Sequence, residues 1–175
     1  MTLGDLLARA ALRRPDAEAV VDGRRRLSYA ELDARATAVA QGFARLGVAA
    51  GDRVLLVLRN RLEHVIAYWA LQKLGGVAVP VNFRLAANEL RYLLTDSGAR
   101  LALFEDSTST PVLEAASGTP TDLVFVDLHV LGLSRRSRQA GLRGTPGDPL
   151  GPSGRRGQRR AARRVRRGRA GRRQR

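Results

Sequence analysis

The sequence contains no cysteine, one methionine and one tryptophan, and aromatic residues make up only 5% of it. Without cysteine, a disulfide scaffold, a thiol nucleophile and cysteine-ligated metal are all excluded, and the usage fits a cytoplasmic protein. No apolar run approaches the ~20 residues of a membrane span. Met1-Thr2-Leu3-Gly4-Asp5 has neither a basic segment nor a continuous apolar stretch, so no secretory leader is expected. Arg9, Arg13 and Arg14 lie on an amphipathic stretch of transit-peptide type, but Asp5, Asp16 and Glu18 interrupt it and favour a first surface helix. Acidic residues are also missing from one region. From His129 to Arg175 there is a single acid, Asp148, against 16 arginines and no lysine. Residues 1–128 are neutral, so the whole net charge of +15 sits in the last 47 residues.

What is present up to residue 128 has the grammar of an α/β protein. Leu3, Leu6, Leu7, Ala10 and Ala11 share a helical face that Pro15 ends. Ala19–Val21, a turn at Asp22-Gly23, and Arg26–Ser28 predict a hairpin. Ser28 and Glu31 have capping-box spacing, and Leu32, Ala36, Val39, Ala40, Phe43 and Leu46 form the stripe of the helix that follows, with Gly47 as its stop. Val54–Leu58 is apolar throughout, as expected of a strand buried on both faces. Asn60 is the expected cap of a helix reaching Leu74, with Leu62, Val65, Ile66, Trp69 and Leu74 inward. Val77–Val79 reads as a short buried strand closed by Pro80. A helix over 86–95, a strand over 101–104, a weak helix over 110–116 and a strand over 123–126 complete the pattern. Strands separated by single helices predict a partial doubly wound, mainly parallel sheet with flanking helices. From His129 on the apolar period is lost, and residues 129–175 are expected to be a disordered, Arg-rich tail. The predicted division is therefore 1–128 and 129–175.

Two segments resemble a known family. Leu27-Ser28-Tyr29-Ala30-Glu31-Leu32 is similar to the first core motif of adenylate-forming enzymes. Leu71-Gln72-Lys73-Leu74-Gly75-Gly76-Val77-Ala78-Val79-Pro80-Val81-Asn82 is similar to their second. The continuation Phe83-Arg84-Leu85, then Glu89-Leu90, then Leu94 to Ala99, resembles the AMP-forming acyl-CoA synthetase branch. Read physically, both motifs are scaffold: one starts a capped helix, and the other ends a helix at Gly75 and feeds a strand.

The resemblance implies ATP-dependent activation of a carboxylic acid, with fatty acids the expected class, to an acyl-adenylate and then to acyl-CoA. It implies ATP, Mg²⁺ and coenzyme A for the family. It also implies that the phosphate loop ending in Pro-Lys, the later acidic motif, the ribose-binding Asp and the C-terminal lysine lie beyond this segment. The chain is accordingly expected to be truncated, to lack catalytic and metal-binding residues, and to be inactive. Arg84 is the one position for which the resemblance suggests a contact, to the nucleotide phosphate of coenzyme A. Ser117-Gly118-Thr119-Pro120-Thr121-Asp122 looks superficially like the start of a phosphate loop, but it has no second glycine and no lysine, and Asp122 would repel phosphate. It is read as a turn.

The remaining polar residues suggest no chemistry. His64 and His129 are the only histidines, and neither has the companions a metal site or dyad needs. Asp5, Glu31, Asp33, Glu63 and Glu89 fall at helix starts or on polar faces, where they serve capping and solubility. The arginine tail could bind nucleic acid non-specifically, although no aromatic is interleaved for stacking. Its Arg, Gly, Pro, Ala, Ser and Leu composition fits better with a GC-rich gene read out of frame after about residue 128. The nucleotide sequence there decides this: an alternative frame should encode a Gly-rich loop with Pro-Lys. An incomplete sheet would also be expected to aggregate or to pair with a homologue.

Overall fold

A computed structural model of the chain describes residues 3–127 and 132–136. Helix α1 (Leu3–Arg13) leads into the hairpin β1 (Glu18–Asp22) and β2 (Arg25–Ser28), then α2 (Tyr29–Arg45), β3 (Arg53–Val57) and α3 (Leu62–Leu74). Next come β4 (Val77–Pro80), α4 (Ala87–Ser97), β5 (Leu101–Phe104), a 3₁₀ turn (Asp106–Thr108), α5 (Ser109–Ala116), β6 (Asp122–Asp127) and β7 (Gly132–Arg136). Beside the antiparallel hairpin stands a five-stranded sheet of order β4-β3-β5-β6-β7. Its first four strands are parallel and only the β6–β7 pair is antiparallel. The α/β, mainly parallel architecture expected from the sequence is present.

Alternation along β3 divides the core. Val54, Leu56 and Leu58 pack with α1, α2 and α3 on one face, together with Leu101, Leu103 and Val124. Leu55 and Val57 face Leu90, Leu94, Val112 and Ala115 of α4 and α5 on the other, with Ala102 and Phe104. Side chains of a strand alternate between faces, so a strand covered by helices on both sides must be apolar at every position. The side chains from Val54 to Val57 are all at most 1% exposed. Burying each such side chain contributes roughly 1.5–3 kcal/mol, which makes β3 the axis of the fold.

Local signals act as expected at several ends. Ser28 caps α2: its hydroxyl accepts the Glu31 N–H at 3.2 Å, and the Glu31 carboxylate accepts the Ser28 N–H at 2.9 Å. Gly75 ends α3 at φ 77°, a left-handed conformation that a Cβ disfavours. Gly4 is needed for a different reason. A Cβ there would lie 2.7 Å from the Lys73 Cα, so α1 seats directly on the last turn of α3.

Five expectations are corrected. Asn60 does not cap α3: Arg61 is the N-cap residue and makes no side-chain cap bond. The cap comes instead from 40 residues earlier, where the Asp22 carboxylate accepts the Leu62 N–H at 3.0 Å. The buried positions of α3 are Leu62, Glu63, Ile66, Ala67, Ala70 and Leu71, because three neighbours (α1, α2 and the sheet) enclose it and the small alanines permit close approach. β4 is an edge strand with Val77 46% exposed, since β5 crosses to the far side of β3 and leaves β4 unflanked. In α1 only Gly4 and Leu7 are buried, and Leu3 and Leu6 stay exposed. Within 129–175, Gly132–Arg136 is a strand rather than a disordered segment, because an antiparallel ladder satisfies backbone groups whatever the side-chain period. The rest of that stretch lies outside the described residues.

Candidate functional site

The chain leaves β3 for β4 on one side and returns with β5 on the other, so the carboxyl end of β3 is a topological switch point, where open α/β sheets bind ligands. A cleft of about 530 Å³ lies there, formed by the hairpin turn, the β3–α3 loop and the loop after β4. Its walls are Asp22, Arg25, Arg59-Asn60-Arg61 and Phe83-Arg84. Each segment is held by backbone. The ladder continues past β4 through Val81 N–H to Leu56 C=O, at 3.2 Å. Asn82 then folds the loop by accepting the Arg84 N–H on its side chain at 3.0 Å.

Of the four arginines in the cleft, two have acidic neighbours. Arg25 donates to Asp22 and to both oxygens of Glu63, at 2.5 and 3.2 Å. The two carboxylates push the Arg25 guanidinium further toward its charged form. The Leu62 N–H and then Arg25 hold the Asp22 carboxyl below its ordinary value of 3.8. Arg61 lies 3.7 Å from Glu105, a carboxylate only 1% exposed that also accepts the Ser107 hydroxyl at 2.5 Å. Arg59 and Arg84 have no carboxylate partner among the described residues; their guanidinium carbons lie 5.5 and 4.9 Å from the centroid of one ring, Phe83.

Arg84 thus stands in the cleft, beside Arg59 and Phe83, to which the sequence assigns no role. The available signal was an Arg-Asn-Arg triplet directly after a continuous apolar strand. Glu63, expected on a polar face, is buried because Arg25 reaches over to neutralise it. Glu31 and Glu89 cap their helices, with the Glu89 carboxylate accepting the Ala86 N–H at 2.8 Å. Asp33 pairs with Lys73 at 2.7 Å. His64 is half-buried on α3 and its Nδ1 has no hydrogen-bond partner among the described residues; His129 lies outside them. No group of three or more His, Asp or Glu able to hold a metal occurs among the described residues.

The Ser117–Asp122 stretch is a turn between α5 and β6. The Thr119 and Thr121 hydroxyls are buried and donate to the Ala116 and Ala99 carbonyls, both at 2.9 Å. Arg91 ties the Ser117 and Glu114 carbonyls at 2.6 and 2.7 Å. The hydroxyls that a phosphate loop would present to a ligand are committed here to the backbone.

Comparison with known proteins agrees with this architecture. The long-chain-fatty-acid–CoA ligase FadD13 of Mycobacterium tuberculosis is 38% identical over 121 residues, 66% of this chain and 23% of that protein. The 4-hydroxybenzoate–CoA/benzoate–CoA ligase of Rhodopseudomonas palustris is 40% identical over 99 residues, 57% of this chain and 18% of that one. The chain therefore spans about a quarter or less of these relatives. Among solved structures, a benzoate CoA ligase from Burkholderia xenovorans superposes with a TM-score of 0.69 at 26% identity, over 73% of this chain and 26% of that one. The N-terminal domain of FACL13 from Mycobacterium tuberculosis gives 0.67 at 32% identity, over 75% and 35%. No helix among the described residues is long and apolar enough to cross a membrane. The AMP-binding enzyme family matches residues 7–147, running past residue 128, and the chain belongs to that family.

Proposed function

We propose that this chain is the opening α/β layer of an acid–CoA ligase, supplying scaffold and one anion-binding rim to ATP-dependent activation of a carboxylic acid. In that reaction the acid's carboxylate attacks the α-phosphorus of ATP, pyrophosphate leaves, and the thiol of coenzyme A then displaces AMP from the acyl-adenylate. A fatty acid is the favoured class, since relatives named as fatty-acid–CoA ligases match 66% and 69% of this chain at 38% and 34% identity. The observation that carries the reading is the family match over residues 7–147 on a sheet whose switch point is open and cationic.

Arg84 is the residue assigned to a phosphate of coenzyme A. Phosphate recognition rewards a planar, permanently charged donor fork on a rigid support, and Arg84 is exposed in the cleft on a loop pinned by Asn82. The 175 residues include no Gly-rich Ser/Thr loop ending in Pro-Lys, and the described residues offer no acidic cluster for Mg²⁺. No step through the metal is assigned to them, and the chain alone is expected to be inactive. The purified protein should show no ATP–pyrophosphate exchange above the protein-free rate with long-chain fatty or aryl acids. Exchange that requires one of those acids would overturn the assignment of inactivity.

A further inference from the structure

The four arginines of the cleft are not equivalent. Arg25 and Arg61 face carboxylates, which leaves Arg59 and Arg84 as its cations without an acidic partner among the described residues. They come from separate loops, yet both guanidiniums lie over the Phe83 ring. An aromatic face attracts a guanidinium and limits the directions it can explore. Both cations are thus tied to one ring, and an anion that reaches both gains a charge-assisted contact from each. The backbone beneath them is fixed: Arg59 directly follows the buried Leu58, and Phe83-Arg84 sit in the turn closed by Asn82. Both arginines are exposed and Phe83 is half-buried, as suits a platform with its donors open to solvent.

We propose that Arg59 is a second anion-binding residue, acting with Arg84 on one phosphomonoester dianion, and that Phe83 is the positioning residue that holds both guanidiniums for it. The inference rests on the assignment of Arg84 to a nucleotide phosphate. It adds Arg59 and Phe83, two residues which that assignment does not include. A dianion with three free oxygens can accept from two forks, whereas a diester has fewer oxygens and less charge to share.

The test uses the full chain and two probes, coenzyme A and 3′-dephospho-coenzyme A, which differ only in the terminal phosphate. Calorimetric titrations at one fixed ionic strength give the ratio of their dissociation constants, and the arginine-rich C-terminal region contributes the same background to every variant. The unaltered protein should prefer coenzyme A. Arg84→Ala and Arg59→Ala should each cut that preference about tenfold, the loss expected for one charge-assisted contact, and leave thermal unfolding unchanged. Phe83→Leu should cut it less and leave dephospho-coenzyme A binding as it was; a merely structural Phe83 would weaken both probes alike. If Arg84→Ala lowers the preference and Arg59→Ala does not, the paired site is wrong while the Arg84 assignment stands. If Arg59→Ala alone lowers it, the Arg84 assignment is wrong and the pairing falls with it. Equal binding of the two probes by the unaltered protein overturns both.

Discussion

Two regions of this molecule invite a phosphate, and they differ in kind. Ser117–Asp122 has the composition, with hydroxyls and a glycine in a short loop between a helix and a strand. The rim at the ends of β3 and β4 has little of it, but it has the position and the charge. In the first region Thr119 and Thr121 are buried and donate to backbone carbonyls, so they are structural fasteners. In the second, Arg59 and Arg84 are exposed beside a ring at the switch point of the sheet. The difference teaches that donors matter only where the fold leaves them uncommitted.

Three further measurements sharpen that contrast, beginning with the largest effect. Arg25→Ala would leave Glu63, whose side chain is 3% exposed, without its cation. Because Arg25 itself is 48% exposed and screened by solvent, the cost should be about 1–3 kcal/mol rather than that of a fully buried pair. Urea unfolding reads it, and Arg59→Ala in the same assay should cost nothing measurable. Paired arginines of the rim would then be separated from unpaired ones by stability alone.

Thr121→Val keeps the shape but strands the Ala99 carbonyl, and should cost about 1 kcal/mol with no change in binding of either coenzyme A probe. A loss of nucleotide affinity in that variant would return Ser117–Asp122 to the list of ligand loops. The smallest effect is a matter of pH. The Asp22 carboxyl titrates below its ordinary 3.8 because its charged form accepts from Leu62 and Arg25. A depressed acid contributes stability above its unfolded value and loses it as pH falls through its folded value. Asp22→Asn should therefore be less stable than the parent at neutral pH, and the two unfolding curves should converge as pH drops below 3.8. Curves that stay parallel to the lowest pH would show that the charge of Asp22 does not hold the hairpin on α3.

Legibility in the sequence followed how local each signal is. The Ser28–Glu31 cap, the glycine stops and the apolar run of β3 depend on neighbours within a few residues, and all could be read directly. The cap of α3 could not, because its acceptor is 40 residues away and Asn60 offered a plausible local substitute. Glu63 has the same cause: a carboxylate beside a helix start reads as a solvent group until Arg25 is folded over it. Arg84 was legible only through family resemblance; Arg59 left just the trace of an Arg-Asn-Arg triplet, and its meeting with Phe83 was not legible, since it depends on β3 and β4 lying in register.

By itself, then, the sequence determined the elements, the parallel α/β class, the family of its opening motifs and the concentration of positive charge after residue 128. Those are consequences of periodicity, capping chemistry and composition, which act over short stretches of chain. Only the tertiary structure decided which strand became an edge, which carboxylates were buried against which arginines, and which arginines were left over. Sheet order exposes the β4 edge and opens the cleft at the end of β3, while the hairpin docked on α3 sets which carboxylates and arginines pair. Whether a loop serves the fold or a ligand was settled there too, by the carbonyls that took up its hydroxyls.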